Sequence, residues 1–275
     1  MITAGRETNS PRRTARERRD GMGIKRFFKW NKRVADRFWE KCGYSDRRLY
    51  HYYDAKVRSL LRPGMLVYDV GGGGDCCYAD AKEQVGDFRI VGVDIEDVRI
   101  KENAKVDEFL VADITKEIPL PHGKIDMLTS SSVLEHLSDQ TAFVKNARAS
   151  LVDGGVMVHV FPGKFALFAM LNQIISNRLA RKILFFIYPN LKGANGFRTF
   201  YDKTYYSRFL RLLEENGFTV LDIQCNYYQS DYFGFFLPFY FLSLLWDSLC
   251  RLFRIKNLAS QLCVTAEKRP DGEEK

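Results

Sequence analysis

The segment Val67-Tyr-Asp-Val-Gly-Gly-Gly-Gly-Asp75 constrains this chain more than any other stretch. It reads as a buried strand that stops at a turn where no side chain keeps a ligand away from the backbone. A second apolar run, Ile90-Val-Gly-Val-Asp94, ends in a carboxylate 21 positions after Gly73. Glycines that make room, followed at that distance by an acid at a strand end, point to a ligand with a ribose, because the carboxylate can accept hydrogen bonds from both sugar hydroxyls.

The pattern continues with Val111-Ala-Asp113, a short apolar strand closing on an acid. Ile125-Asp-Met-Leu-Thr-Ser-Ser-Ser-Val-Leu-Glu135-His136 and Leu151-Val-Asp-Gly-Gly-Val-Met-Val-His-Val-Phe-Pro162 follow. Apolar runs separated by helix-length amphipathic stretches predict an α/β fold, doubly wound around a mostly parallel sheet, with ligands at the carboxyl ends of its strands. The order of these segments resembles the class I S-adenosylmethionine-dependent methyltransferases, particularly the group acting on small-molecule, lipid or glycan substrates. The resemblance covers residues 50–162 closely and the rest in outline.

It implies a seven-stranded Rossmann-like sheet whose last two strands pair antiparallel, and S-adenosylmethionine as cofactor. Asp69, Gly71 and Gly73 would form the loop beside the amino-acid part of the cofactor, Asp94 would hold the ribose hydroxyls, and Asp113 with Ile114 would frame the adenine. Ile95 and Ser131 are further cofactor-binding positions on the same resemblance. Where the family usually places a third glycine the chain has Asp75, so the far end of the loop is expected to close differently. A dehydrogenase uses the same fold, but its Gly-x-Gly-x-x-Gly fingerprint would place a glycine where Cys76 stands.

At 275 residues and 46% hydrophobic, the chain can bury one large core, and one elaborated domain over 23–275 is expected. Its parts would be cap helices over 23–62, a cofactor-binding core over 63–162, and insertions over 163–202 and 229–258. The six cysteines have no metal-type spacing, and no metal site is expected. No secretory leader is recognisable, so the expected location is the cytoplasm, peripheral to the inner face of a membrane. Cys76 and Cys77 read as small packing residues near the glycine turn.

The net charge of +8 is unevenly spread: residues 1–62 hold 18 Lys and Arg against 7 Asp and Glu, and the remainder 24 against 27. Residues 1–22 are rich in Arg and poor in apolar side chains, and are expected to be a disordered basic arm. From Gly23 to about Trp39, Phe27, Trp30, Val34 and Phe38 recur at helical spacing among cations, which predicts an amphipathic helix capping the cofactor site. A second helix should run from Arg47 to Leu61, stopped by Pro63-Gly64.

Lys164 to Lys192 is apolar and contains no Asp or Glu, and Tyr232 to Phe253 is equally apolar with Arg251, Arg254 and Lys256 at its end. The uncharged run from Tyr232 to Trp246 is 15 residues and contains Pro238, whereas a membrane span needs about 20. A helix over Lys203 to Asn216 and strands over Thr219 to Tyr228 and Gln261 to Glu267 complete the chain. If the first of these strands is parallel to the core, both insertions leave from the carboxyl edge and cover the active-site mouth. They could form a lid or docking surface toward anionic lipid or a long apolar acceptor, or simply pack on each other.

Methyl transfer is an in-line displacement, so the protein mainly aligns the partners and excludes water; a base is needed only for a hydroxyl or protonated amine. Of the four histidines, His136, next to Glu135 after the fourth strand, is the first candidate for that base. His159 lies within the fifth strand and could face core or site. Tyr201, Asp202, Tyr205 and Tyr206 could position the acceptor or only begin the following helix. The favoured reading is methyl transfer to a small, lipid-linked or glycan acceptor at a membrane surface. An RNA methyltransferase or a non-catalytic, membrane-docked module are the alternatives, although no Asn/Asp-Pro-Pro-Tyr/Phe motif or RNA-binding module supports a nucleic-acid partner.

Overall fold

The computed structural model describes residues 15–42, 49–71, 76–95, 105–116, 123–174 and 198–272, with side chains from Gly23 onward except Lys25. Two helices, α1 (Ala15–Lys41) and α2 (Leu49–Leu60), precede β1 (Leu66–Val70). Next come α3 (Lys82–Val85), β2 (Arg89–Asp94), β3 (Glu108–Val111), β4 (Ile125–Ser131), a 3-10 turn (Leu134–His136), α4 (Gln140–Ser150) and β5 (Leu151–Pro162). The last part holds α5 (Leu167–Ile174), α6 (Tyr206–Glu215), β6 (Phe218–Asn226), α7 (Leu237–Leu252) and β7 (Gln261–Lys268).

The strands form one seven-stranded sheet in the order β3-β2-β1-β4-β5-β7-β6. β1 to β5 are parallel neighbours, and β7 runs antiparallel to both β5 and β6. β6 therefore points the same way as the core strands. Order reverses between β1 and β4, and at such a switch the crossover helices diverge to opposite faces and leave a crevice at the carboxyl ends.

The period of two along each strand divides the core. Tyr68, Val70, Met157 and Phe161 point into a layer with Phe143 and Ala147 of α4 and Phe209, Leu212 and Leu213 of α6. Val67, Met127, Val158 and Val160 point into the opposite layer, against Leu49, Tyr53 and Val57 of α2. Those α2 residues recur every fourth position, so one helical stripe is buried. Each fully buried large side chain contributes roughly 1.5–3 kcal/mol, so both layers are needed to hold the sheet. Asp139 caps α4 by accepting from Thr141 N (2.9 Å) and Ala142 N (3.0 Å).

Two expectations change. The disordered arm over 1–22 is cut short because α1 already begins at Ala15. Ala, Arg and Glu are strong helix formers, and extending a packed helix gains one hydrogen bond per residue ordered; residues 1–14 lie outside the described residues. The third strand ends at Val111, before Asp113. Ala112 N–H still reaches Asp94 O (2.9 Å), but the Asp113 carboxylate then takes Thr115 N–H (3.0 Å) and turns the chain.

Among the described residues α1 packs on α7 and on the segment that leads into it. Phe28 meets Phe235 edge-on at 5.9 Å, Phe38 meets Phe241 at 5.6 Å, and Trp39 meets Tyr228 at 6.4 Å. The buried Asn31 side chain accepts from Leu237 N (3.4 Å), answering one of the unpaired N–H groups at the start of α7. At the other end, buried Asp247 accepts from Gln229 N, Gln229 Nε2 and Ser230 N at 2.9–3.1 Å, which ties α7 back to the segment leaving β6. Burial pushes its carboxyl up to about 6, against those donors. Among the described residues no helix is long and apolar enough to cross a membrane.

Candidate active site

The carboxyl ends of β1, β2, β3 and β4 lie side by side. Val70 pairs with Val93 and with Ser130, and Asp94 with Val111. Gly71, Asp94, Ile95, Asp113, Ile114 and Ser131 therefore gather along one edge. Gly73 belongs to 72–75, which, like 96–104 and 117–122, lies outside the described residues.

Gly71 is held tightly. Its φ of +73° is costly for any residue with a Cβ, and its N–H donates to Val93 O (2.7 Å). A Cβ at Gly71 would lie 2.3 Å from Val133 Cγ2, on the loop after β4. Gly71→Ala should thus strain the backbone and push Val133 aside, a destabilisation of about 2–4 kcal/mol. A urea midpoint equal to the parent's would show that the turn does not depend on this contact.

Asp69 does not open onto the edge. It belongs to the face toward α2, where Thr129 Oγ1 donates to Asp69 Oδ1 (3.0 Å) and the Tyr78 hydroxyl contacts Thr129 Oγ1 (2.7 Å). Burial pushes the Asp69 carboxyl up to about 7, opposed by Thr129 and Tyr78. It is buried near the end of β1. Cys76 and Cys77 are thiols driven upward by burial, Cys77 to about 12, so neither is an active nucleophile at neutral pH.

Asp94 is half-buried at the end of β2, with Ile95 and Val111 exposed beside it. Asp113 is engaged by its own turn, accepting from Thr115 N, Thr115 Oγ1 (2.7 Å) and Lys116 Nζ (3.4 Å). Burial alone would raise its pKa, but these donors outweigh burial and hold it below the usual carboxylate range. Ile114 is buried, and its carbonyl accepts from Asn146 Nδ2 (3.0 Å). Ser131 is exposed at the end of β4; the next residue, Ser132, has φ +57° and an Oγ 2.9 Å from the Tyr50 hydroxyl of α2.

These residues fit S-adenosylmethionine. Gly71 offers a turn that admits no side chain, Asp94 a reachable carboxylate at the crevice, and Ile95 with Val111 exposed apolar surface next to it. Among the described residues no group of three or more His, Cys, Asp or Glu could hold a metal ion.

The two central histidines separate. His159 turns into the core, with Nδ1 2.7 Å from Ser130 Oγ and its ring edge-on to Phe143 at 5.4 Å; burial lowers it to about 3, so it is neutral. His136 sits at the mouth of the edge, a third exposed, with Nδ1 3.0 Å from Arg198 O. A carbonyl only accepts, so Nδ1 carries the proton and Nε2 keeps its lone pair. Burial lowers its pKa, partly offset by that bond, so the ring is neutral near pH 7.

Glu135, to which sequence reasoning gave no task, meets here Tyr201, one of the residues expected to position the acceptor or begin the next helix. Glu135 is buried, and its backbone carbonyl accepts from Phe200 N (2.8 Å) and Tyr201 N (3.1 Å). Tyr201 is buried with φ +48°. Tyr205 begins α6 without a side-chain cap. The available signal was an acid inside the apolar run Val133-Leu134-Glu135-His136-Leu137, which is rare unless the acid has a task or a partner.

The sequence profile of the methyltransferase domain family matches residues 45–223. No curated protein sequence matches the chain. A Haloferax volcanii protein assigned as a methyltransferase, solved in complex with the Trm112 methyltransferase activator, is similar in structure. It is 12% identical, with 86% of this chain and 96% of that one covered and a TM-score of 0.51. A Galdieria sulphuraria protein assigned as a sarcosine dimethylglycine methyltransferase is 14% identical, with 80% and 84% covered and a TM-score of 0.50. At these identities the likeness speaks for the fold. Since the family match runs from ahead of α2 into β6 and includes the glycine turn and every strand of the crevice, the chain belongs to the methyltransferase domain family and is a class I, S-adenosylmethionine-dependent methyltransferase.

Proposed function

We propose that the protein methylates a small, lipid-linked or glycan acceptor at the surface of an anionic membrane. The cofactor, when bound, supplies an electrophilic methyl group on a sulfonium. Gly71 and Gly73 would leave room for it, Asp94 would hold the ribose hydroxyls, Ile95, Asp113 and Ile114 would border the adenine, and Ser131 would lie beside the transferring end. His136 Nε2 would take the acceptor's proton.

The observation behind the membrane part is the surface of α1 and α7. Trp30, Phe239, Leu242, Leu245, Leu252 and Phe253 are exposed, with Leu242 at 64% and Leu252 at 73%. Exposed Arg26, Lys29, Arg33 and Arg37 on α1, and Arg251, Arg254 and Lys256 at the end of α7, accompany them. So much exposed apolar surface beside cations suits anionic headgroups, whereas a second copy would bring like charges together. The chain between β6 and β7 leaves and returns at the carboxyl edge, so α7 joins that surface to the site.

Co-sedimentation with phosphatidylcholine vesicles containing a third phosphatidylserine tests it. Binding should fall at high salt, because each surface cation contributes about 1 kcal/mol that screening removes, leaving a salt-resistant apolar part. Leu242→Asp with Leu245→Asp should abolish that part and spare cofactor binding. If protein lacking residues 1–14 does not sediment even at low salt, the membrane part of the reading is wrong.

A further inference from the structure

The Glu135 carboxyl is sealed at the end of β4. One oxygen, Oε2, has no hydrogen-bond partner and no contact with solvent, and the other, Oε1, lies 3.8 Å from His136 Nε2. An unpaired buried carboxyl oxygen is costly and persists where a task retains it. The surrounding backbone is also strained: Ser132 and Tyr201, on the segments that lead into and fold over Glu135, are both non-glycine residues with positive φ. Such strain collects at working sites.

Among the described residues, few titratable groups face this carboxyl. His136 comes from its own turn and Tyr201 from the segment folded over it; the Tyr201 hydroxyl is driven upward by burial first and by Glu135 second, with Asn172 of α5 opposing. Burial pushes Glu135 itself up to about 8. It is therefore protonated at neutral pH and ionises just above it.

We propose that Glu135 is a positioning residue of the methyl-transfer site, whose buried carboxyl sets the proton affinity of His136 Nε2 for an acceptor carrying O–H or N–H. The inference rests on His136 as the base. When the acceptor is methylated, a lone pair on X forms the new X–C bond, the S–C pair stays on sulfur, the proton goes to Nε2, and the X–H bonding pair remains on X as a lone pair. With Glu135 protonated, that leaves a partly buried imidazolium beside a neutral carboxyl. With Glu135 ionised, the product is a neutral carboxylate–imidazolium pair, so proton acceptance improves as pH rises through about 8. A carbon acceptor without an acidic proton would have no use for the pair.

Histidine NMR on the whole protein, without acceptor, reads the coupling directly. The His136 resonance, assigned by its loss in His136→Gln, should show a second inflection near pH 8 from Glu135, and Glu135→Gln should remove it while the other histidines titrate unchanged. A wild-type His136 curve with no inflection there, or one that persists in Glu135→Gln, overturns the proposal. Circular dichroism checks that variant's fold; if it fails, the wild-type curve alone decides. A His136→Ala protein with full turnover would instead sink the base reading, a separate outcome from the coupling.

Discussion

Replacing Asp94 with alanine is expected to weaken S-adenosylmethionine binding by roughly 30- to 150-fold, the equivalent of losing about 2–3 kcal/mol of charge-assisted hydrogen bonding. Two sugar hydroxyls can donate to one carboxylate, and Asp94 stands at the end of β2, only half-buried and beside the topological switch. Asp69 is buried beside Thr129, and Asp113 accepts from Thr115 and Lys116 within its own turn. Calorimetric titration measures the change. Unchanged affinity in Asp94→Ala, or tighter binding of NAD than of S-adenosylmethionine by the parent protein, would remove Asp94 from the cofactor site.

His136→Ala should lower turnover by about 10²-fold or more while leaving the dissociation constant of S-adenosylmethionine nearly unchanged, as expected for a group that acts on the acceptor's proton. The tautomer supports this: Nδ1 donates to Arg198 O, so Nε2 is the ring nitrogen that carries the lone pair. Burial lowers the pKa of the ring, so His136 is neutral and competent at pH 7 and loses function as pH falls and the ring charges. Steady-state kinetics with an identified acceptor decides the matter, and an undiminished kcat would make His136 structural.

The fold was legible because its signals are local. Val67 to Val70, Ile90 to Val93 and Val156 to Val160 are apolar runs that strands buried on both faces require, and glycine or acid marks their ends. Gly71 was readable for the same reason: a positive φ against Val133 leaves room for no other residue. The ends of elements were read less well. The start of α1 and the end of β3 depend on fraying, propensity and one Asx turn, which no hydrophobic period reports.

What the sequence alone determined is thus the sheet, its switch point and the candidate residues along its edge. Only the tertiary structure decided how those residues are used. It turned Asp69 and His159 inward, occupied Asp113 within its own turn, laid α1 on α7, and closed Glu135 beneath the segment carrying Tyr201. Burial and partnership come from segments far apart in the chain, here Glu135 and Tyr201 or Asn31 and Leu237. A carboxylate's charge, reach and task follow from those neighbours rather than from its own position in the sequence.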